Sequence, residues 1–276
     1  MSLLAIGRGS SNPLVRVLPS AGEVALRAAD RLARVLRRPG RRVLVLASGK
    51  TMIPIYRELV RLHALGRAPF RRAEIFNLDE LCVPPDDPRS FRSFMERHLF
   101  SKVDLVPGRI HFLRSDAADS QRECRRYERE LAKAGEPDLA LVGIGVNGHV
   151  AYLEPGRALP PRASRVRLSA STRRSLKADR VRPVPREALT MGIETILSAH
   201  EILLVAAGKE KAKAVAAALK GPLTAGCPAS FLSVHPSLTV LLDRSAARVL
   251  NRPGPRGRRT VWGAAGFGSL LDLGRA

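Results

Sequence analysis

Cysteine is scarce in this 276-residue chain. Three residues, Cys82, Cys124 and Cys227, lie too far apart for a disulfide framework or a zinc knuckle, which points to a reducing, cytoplasmic setting. Aromatic residues make up only 4% of the sequence and do not interleave with the basic ones, so the stacking platforms that bind unpaired bases are missing and nucleic acid is not the expected partner. The six histidines are scattered without metal-ligand spacing, and no catalytic metal is predicted. Nowhere do about 18 apolar residues run together, and the first fifteen residues lack the apolar stretch of an export signal. Neither a membrane span nor export is expected. Acidic residues are also few, 25 against 47 Lys and Arg, for a formal net charge of +22. That field attracts phosphorylated metabolites and larger polyanions alike, so charge selects no partner by itself.

What is present is apolar material for a large core, at 45% of residues. Apolar runs at residues 43–47, 73–78, 139–143, 202–207 and 238–242 are predominantly apolar instead of alternating, as in strands buried on both faces of a parallel sheet. Between them, residues 22–36, 53–65, 91–99, 121–134, 186–197 and 209–219 show the three- and four-residue spacing of helices. Strand and helix alternate, which predicts an α/β fold: a doubly wound, mostly parallel, Rossmann-like sheet with helices on both faces. One domain is expected over residues 1–250, followed by an Arg/Gly/Pro-rich extension over 251–276 that lacks material for a core.

In such a sheet, ligands collect beyond the carboxyl ends of the strands, and the polar motifs fall there. Ser48-Gly49-Lys50-Thr51 enters a helix and could seat an anion; the spacing of a Walker A loop is absent, and an ordinary strand-to-helix turn is the alternative. Asn77-Leu78-Asp79-Glu80 puts two carboxylates at a strand end, where strand geometry sends them to opposite faces; Asp79 is the candidate base. Gly143, Gly145 and Gly148 match the dinucleotide pattern, but Pro155 and Gly156 interrupt the helix that pattern requires. The glycines instead permit a tight turn that presents His149, with Glu154 five residues on to orient or charge the imidazole. Gly208-Lys209-Glu210-Lys211 opens a further helix suited to a phosphate, or simply a solvated helix face. His235 reads as part of a turn before the last strand.

In this order, from about residue 22 to residue 247, these motifs resemble the glucosamine-6-phosphate deaminase family, which shares its superfamily with the 6-phosphogluconolactonases. Phe76-Asn77-Leu78-Asp79-Glu80 looks like the segment bearing the enolising base, residues 143–155 like the ring-opening loop, and residues 188–193 with 208–211 complete the pattern. The resemblance implies that His149 with Glu154 opens the sugar ring, that Asp79 carries a proton from C2 to C1, and that ammonia leaves to give fructose 6-phosphate. It implies hydrogen bonding of Asn147 to His149, and binding of the substrate or its phosphate by Ser48, Gly49, Lys50, Thr51, Glu80 and Lys211. No cofactor is implied; the partner is a phosphorylated sugar, and a homo-oligomer is left open.

The chain departs from the family pattern where it binds the substrate. Lys50 stands in place of a usual glycine, Leu81 of a Tyr and Leu153 of an Asn, and the expected phosphate-binding arginine falls on Ala178. Arg174, Lys177, Arg180 or Lys50 could replace it, and a different amino sugar phosphate would suit the altered loop. Two other functions compete. Asp79 to Ser90 and Gly148 to Leu153 also lean toward a lactonase, against which stand Leu81, where lactonases carry Arg, and Glu154. A catalytically silent sugar-phosphate-binding regulator is the alternative of another class, with retention of Asp79, His149 and Glu154 against it.

Overall fold

The computed structural model describes residues 13–84, 86–178 and 183–250; the predicted extension over 251–276 lies outside them. The elements run β1 (Leu14–Leu18), α1 (Ala21–Leu36), β2 (Arg42–Leu46), α2 (Ile53–Ala64), β3 (Ala73–Asn77), β4 (Asp79–Leu81), α3 (Phe91–His98), β5 (Ile110–His111), α4 (Ser120–Ala134) and β6 (Leu139–Gly143). There follow β7 (Ser164–Arg167), α5 (Ala170–Ala178), β8 (Glu187–Thr190), α6 (Ile193–Leu197), β9 (Ile202–Ala206), α7 (Ala212–Lys220), β10 (Leu238–Asp243) and α8 (Arg244–Ala247). No helix among the described residues is long and apolar enough to cross a membrane.

Seven strands form one sheet in the order β1-β10-β9-β6-β2-β3-β5, with every pairing parallel. The apolar-rich runs supply its centre: β3 and β9 are buried along their whole length, and β2 and β6 nearly so. Right-handed crossovers then fix the layers. The chain moves one way across the sheet through β1, β2, β3 and β5, which puts α1 and α2 on one face. It returns through β6, β9 and β10, which puts α4 and α7 on the other. Helix α1 shows how sequence serves this packing: Ser20 caps it by accepting from the Glu23 N–H at 3.2 Å, and Ala25, Ala28, Ala29, Leu32 and Leu36 recur at helical spacing on its buried face.

Sequence and structure part at a second sheet. β4, β8 and β7 form a three-stranded antiparallel sheet that the apolar runs do not reveal. The helix expected over 186–197 is in fact strand β8 followed by the short helix α6. Asp79 accordingly does not end the second long strand; it is the first residue of β4, paired with Thr190 of β8.

Candidate active site

The sheet order places a topological switch point between β2 and β6, because the chain runs outward in opposite directions from these neighbours. Ligands in open α/β sheets bind in the crevice such a point leaves beyond the strand ends. The loop after β2 carries Ser48 to Thr51, and the loop after β6 carries Asn147, His149 and Glu154. The joint after β3, the other neighbour of β2, carries Asp79.

At that joint the chain leaves one sheet for the other. The Leu78 N–H donates to the Leu46 carbonyl at 3.0 Å and the Met191 N–H to the Leu78 carbonyl at 2.8 Å, so Leu78 is tied to both sheets. Asp79 is buried, and that burial, reinforced by the neighbouring Glu80 charge, pushes its carboxyl well above the usual carboxylate range. Tyr56, Tyr127 and Tyr152 all lie in its field. Tyr152 is a site residue that the motifs did not single out. Its ring stacks on Phe91 at 5.8 Å and lies 6.1 Å from the His149 ring, and its N–H donates to Thr190 Oγ1 at 3.1 Å.

Glu80 turns away from Asp79, as strand alternation requires. Its carboxylate accepts the N–H groups of Phe91 at 2.6 Å, Arg92 at 2.9 Å and Leu81 at 2.9 Å, which fastens the first turn of α3 to β4. Burial nevertheless carries Glu80 up to about 7 against the pull of these donors. Its part is to hold the wall of the site.

The loop after β6 is built around His149. The Asn147 side chain accepts from the His149 N–H at 3.2 Å and donates to Glu154 Oε2 at 3.0 Å and to Ser171 Oγ at 3.0 Å. Asn147 therefore bonds to His149 as expected, through the backbone and not the ring. His149 Nδ1 lies 3.7 Å from Glu154 Oε2 and 3.4 Å from Thr172 Oγ1. Burial alone would raise Glu154, but its contacts with His149 and Thr172 and the Ser169 N–H bring it down to about 2. Ser169, Ser171 and Thr172, at the start of α5, were missed in the sequence; the hydroxyl-rich run Ser169-Ala170-Ser171-Thr172 was the available signal.

Two glycines make this loop possible. Gly148 has φ of +88°, and a Cβ there would stand 2.8 Å from Cys227 Sγ. A Cβ on Gly145 would stand 2.4 Å from the His149 ring, so Gly145→Ala must move the imidazole. We expect this variant to lose about 100-fold or more in turnover while remaining folded, checked by steady-state rates beside circular dichroism.

The two expected phosphate segments have matching geometry. Gly49, with φ of +110°, leads through a 3-10 turn (Lys50–Met52) into α2, and Gly208, with φ of +97°, leads through another (Lys209–Lys211) into α7. Lys50 is exposed and Lys211 half-buried. Of the other cations considered, Arg174 and Lys177 are exposed on α5, and Arg180 lies outside the described residues. His235 is structural: its Nε2 lies 2.7 Å from the Ala199 carbonyl, and Nδ1 accepts the Ser237 N–H at 3.1 Å. Among the described residues no group of His, Cys, Asp or Glu is arranged to hold a metal ion.

The family model for glucosamine-6-phosphate isomerases/6-phosphogluconolactonase matches residues 19–240. The chain is 43% identical over 234 residues to glucosamine-6-phosphate deaminase 1 of Giardia intestinalis, covering 82% of this chain and 87% of that one. It is 41% identical over 244 residues to glucosamine-6-phosphate deaminase of Marinomonas sp. (strain MWYL1), covering 86% and 91%. Among solved structures, a monomeric glucosamine-6-phosphate deaminase superposes with a TM-score of 0.82 at 38% identity, over 86% of this chain and 99% of its own. A 6-phosphogluconolactonase from Thermotoga maritima, at 24% identity and a TM-score of 0.68 over 83% and 99%, shares the fold. The chain belongs to the glucosamine-6-phosphate isomerase/6-phosphogluconolactonase family.

Proposed function

We propose that this protein converts glucosamine 6-phosphate and water to fructose 6-phosphate and ammonia. The observation that carries the reading is a pair of carboxylates driven apart by their surroundings: Asp79 is raised by burial, while Glu154 is held down to about 2 beside His149. Environments that separate two carboxyls in this way assign acid–base roles. The glucosamine-6-phosphate deaminases at 43% and 41% identity support the substrate.

The roles follow from position. Glu154, ionised at any working pH, faces His149 Nδ1, so Nε2 is the nitrogen that meets the sugar. His149 moves the proton between the anomeric hydroxyl and the ring oxygen, which opens the ring. Asp79, charged but poorly solvated, takes the proton from C2; the C–H electron pair becomes the C1–C2 double bond of the enolamine as the C1 carbonyl oxygen gains a proton, and the same carboxyl then returns a proton to C1 while the amine gives up one of its own to form the C2–N double bond. The product is a ketimine, which water hydrolyses to the ketone and ammonia. Ser48 to Thr51 and Lys211 form the phosphate seat, and the net charge of +22 draws the anion in. Three free thiols, Cys82, Cys124 and Cys227, suit a reducing compartment such as the cytoplasm.

The lactonase alternative gives way to the Glu154–His149 pairing and to deaminase relatives of much higher identity than the 24% of the lactonase structure. Asp79 at the start of β4, with His149 and Glu154 on the loop after β6, supports turnover over a silent binding role. The deciding test offers glucosamine 6-phosphate, galactosamine 6-phosphate and 6-phosphogluconolactone to the same preparation. Ammonia from the first substrate is expected; lactone hydrolysis alone would move the assignment to the runner-up, and ammonia only from the galactosamine epimer would correct the substrate.

A further inference from the structure

Asn77, the last residue of β3, is wholly buried at the joint that leads into Asp79. Both its backbone and its side chain are committed there. The Asn77 carbonyl accepts the Tyr127 hydroxyl at 2.5 Å, and its side-chain Nδ2 donates to the Asp79 carbonyl at 3.1 Å. Its Oδ1, however, is a buried acceptor with no hydrogen-bond donor. Burying such an oxygen unpaired costs about 1–3 kcal/mol, and native proteins keep few of them. Leucine would fill the same space without that cost, so the amide needs a reason.

The reaction itself supplies a donor at this joint. Asp79 is a neutral carboxylic acid, with an O–H to donate, during the interval between taking the C2 proton and returning it to C1. We propose that Asn77 is a positioning residue for Asp79, its Nδ2 fixing the main chain that carries the base and its Oδ1 receiving the carboxyl O–H while the proton is held. This inference rests on the deaminase reading above. Asn77 is wholly buried and does not itself meet the sugar. The other ionisable groups around Asp79 are Glu80 on β4, Tyr56 on α2, Tyr127 on α4 and Tyr152 after β6. Glu80 spends its oxygens on α3, and the three tyrosines are neutral throughout the working range, each raised by burial.

The test is the acid limb of kcat/KM for ammonia release, compared between wild type, Asn77→Leu and Asn77→Asp. Removing the acceptor disfavours the neutral carboxyl, so Asn77→Leu should move the limb to lower pH by about half a unit or more. Asn77→Asp adds a second carboxylate and should move it to higher pH by about one unit or more, as when two carboxyls share a site. In both variants kcat should fall about tenfold or more while KM stays within about threefold. A residue that served only packing would lower activity without these opposite shifts. If Asn77→Leu does not fold, Asn77→Ala, which also removes the acceptor, tests the same downward shift. A limb that stays in place in a folded variant overturns the inference and leaves the deaminase reading intact; a wild type that releases no ammonia overturns both.

Discussion

Asp79→Asn should lower kcat for ammonia release by about 1,000- to 10,000-fold, the range expected when a positioned base is removed. The amide has the size and shape of the carboxyl but cannot accept the C2 proton. The same substitution should not harm the fold. Asp79 is raised by burial, so its ionised form is disfavoured in the native state relative to the unfolded chain. Such a group stabilises below its unfolded pKa of 3.8 and loses that contribution as pH rises through its higher native value. Above that value Asp79→Asn removes the liability, and its melting temperature should equal or exceed that of the wild type. Activity lost together with stability would indicate that Asp79 is a structural residue.

Glu154→Gln should reduce turnover about 100- to 1,000-fold by leaving His149 without its anion. Here the sign of the stability change is reversed. Glu154 is brought from 4.5 down to about 2, so its contribution is present above pH 4.5 and lost as pH falls toward 2. The variant should therefore be less stable than wild type at pH 7, by about 1–2 kcal/mol after allowance for solvent screening. The two should converge near pH 2, as denaturant titration at the two pH values would show. A Glu154→Gln protein with full turnover would remove the carboxylate from the ring-opening step.

Burial determined how much of this was legible in the sequence. Strands β2, β3, β6, β9 and β10 were readable because they are buried on both faces, which favours largely apolar runs. Strand β7, Ser-Arg-Val-Arg, alternates between half-buried and exposed positions and is only four residues long, too short for periodicity to register. Residues 186–197 fit a helix by spacing, since Ala188, Leu189, Ile193, Ile196 and Leu197 recur at three- to four-residue steps. Pairing of residues 187–190 with β4 and β7, both distant in sequence, overrode that local pattern.

The site divided in the same way. Asp79 and His149 were legible as candidates because each follows a readable strand, and Glu154 because it lies close to His149 in sequence. The roles of Glu80, Thr172 and Tyr152 depend on contacts between segments 11 to 38 residues apart, as in Glu80 with Phe91, His149 with Thr172, and Tyr152 with Thr190. No local spacing encodes such contacts. Asn77 lay within a recognised motif, but only the structure shows that one of its polar atoms is buried without a donor.

The most direct measurement is the pH dependence of kcat/KM for ammonia release from glucosamine 6-phosphate, with fructose 6-phosphate assayed alongside and the fold monitored throughout. A buried Asp79 acting as the base predicts equimolar products and a one-proton acid limb centred well above pH 4. Undiminished activity at pH 4, or no ammonia at any pH, would contradict it.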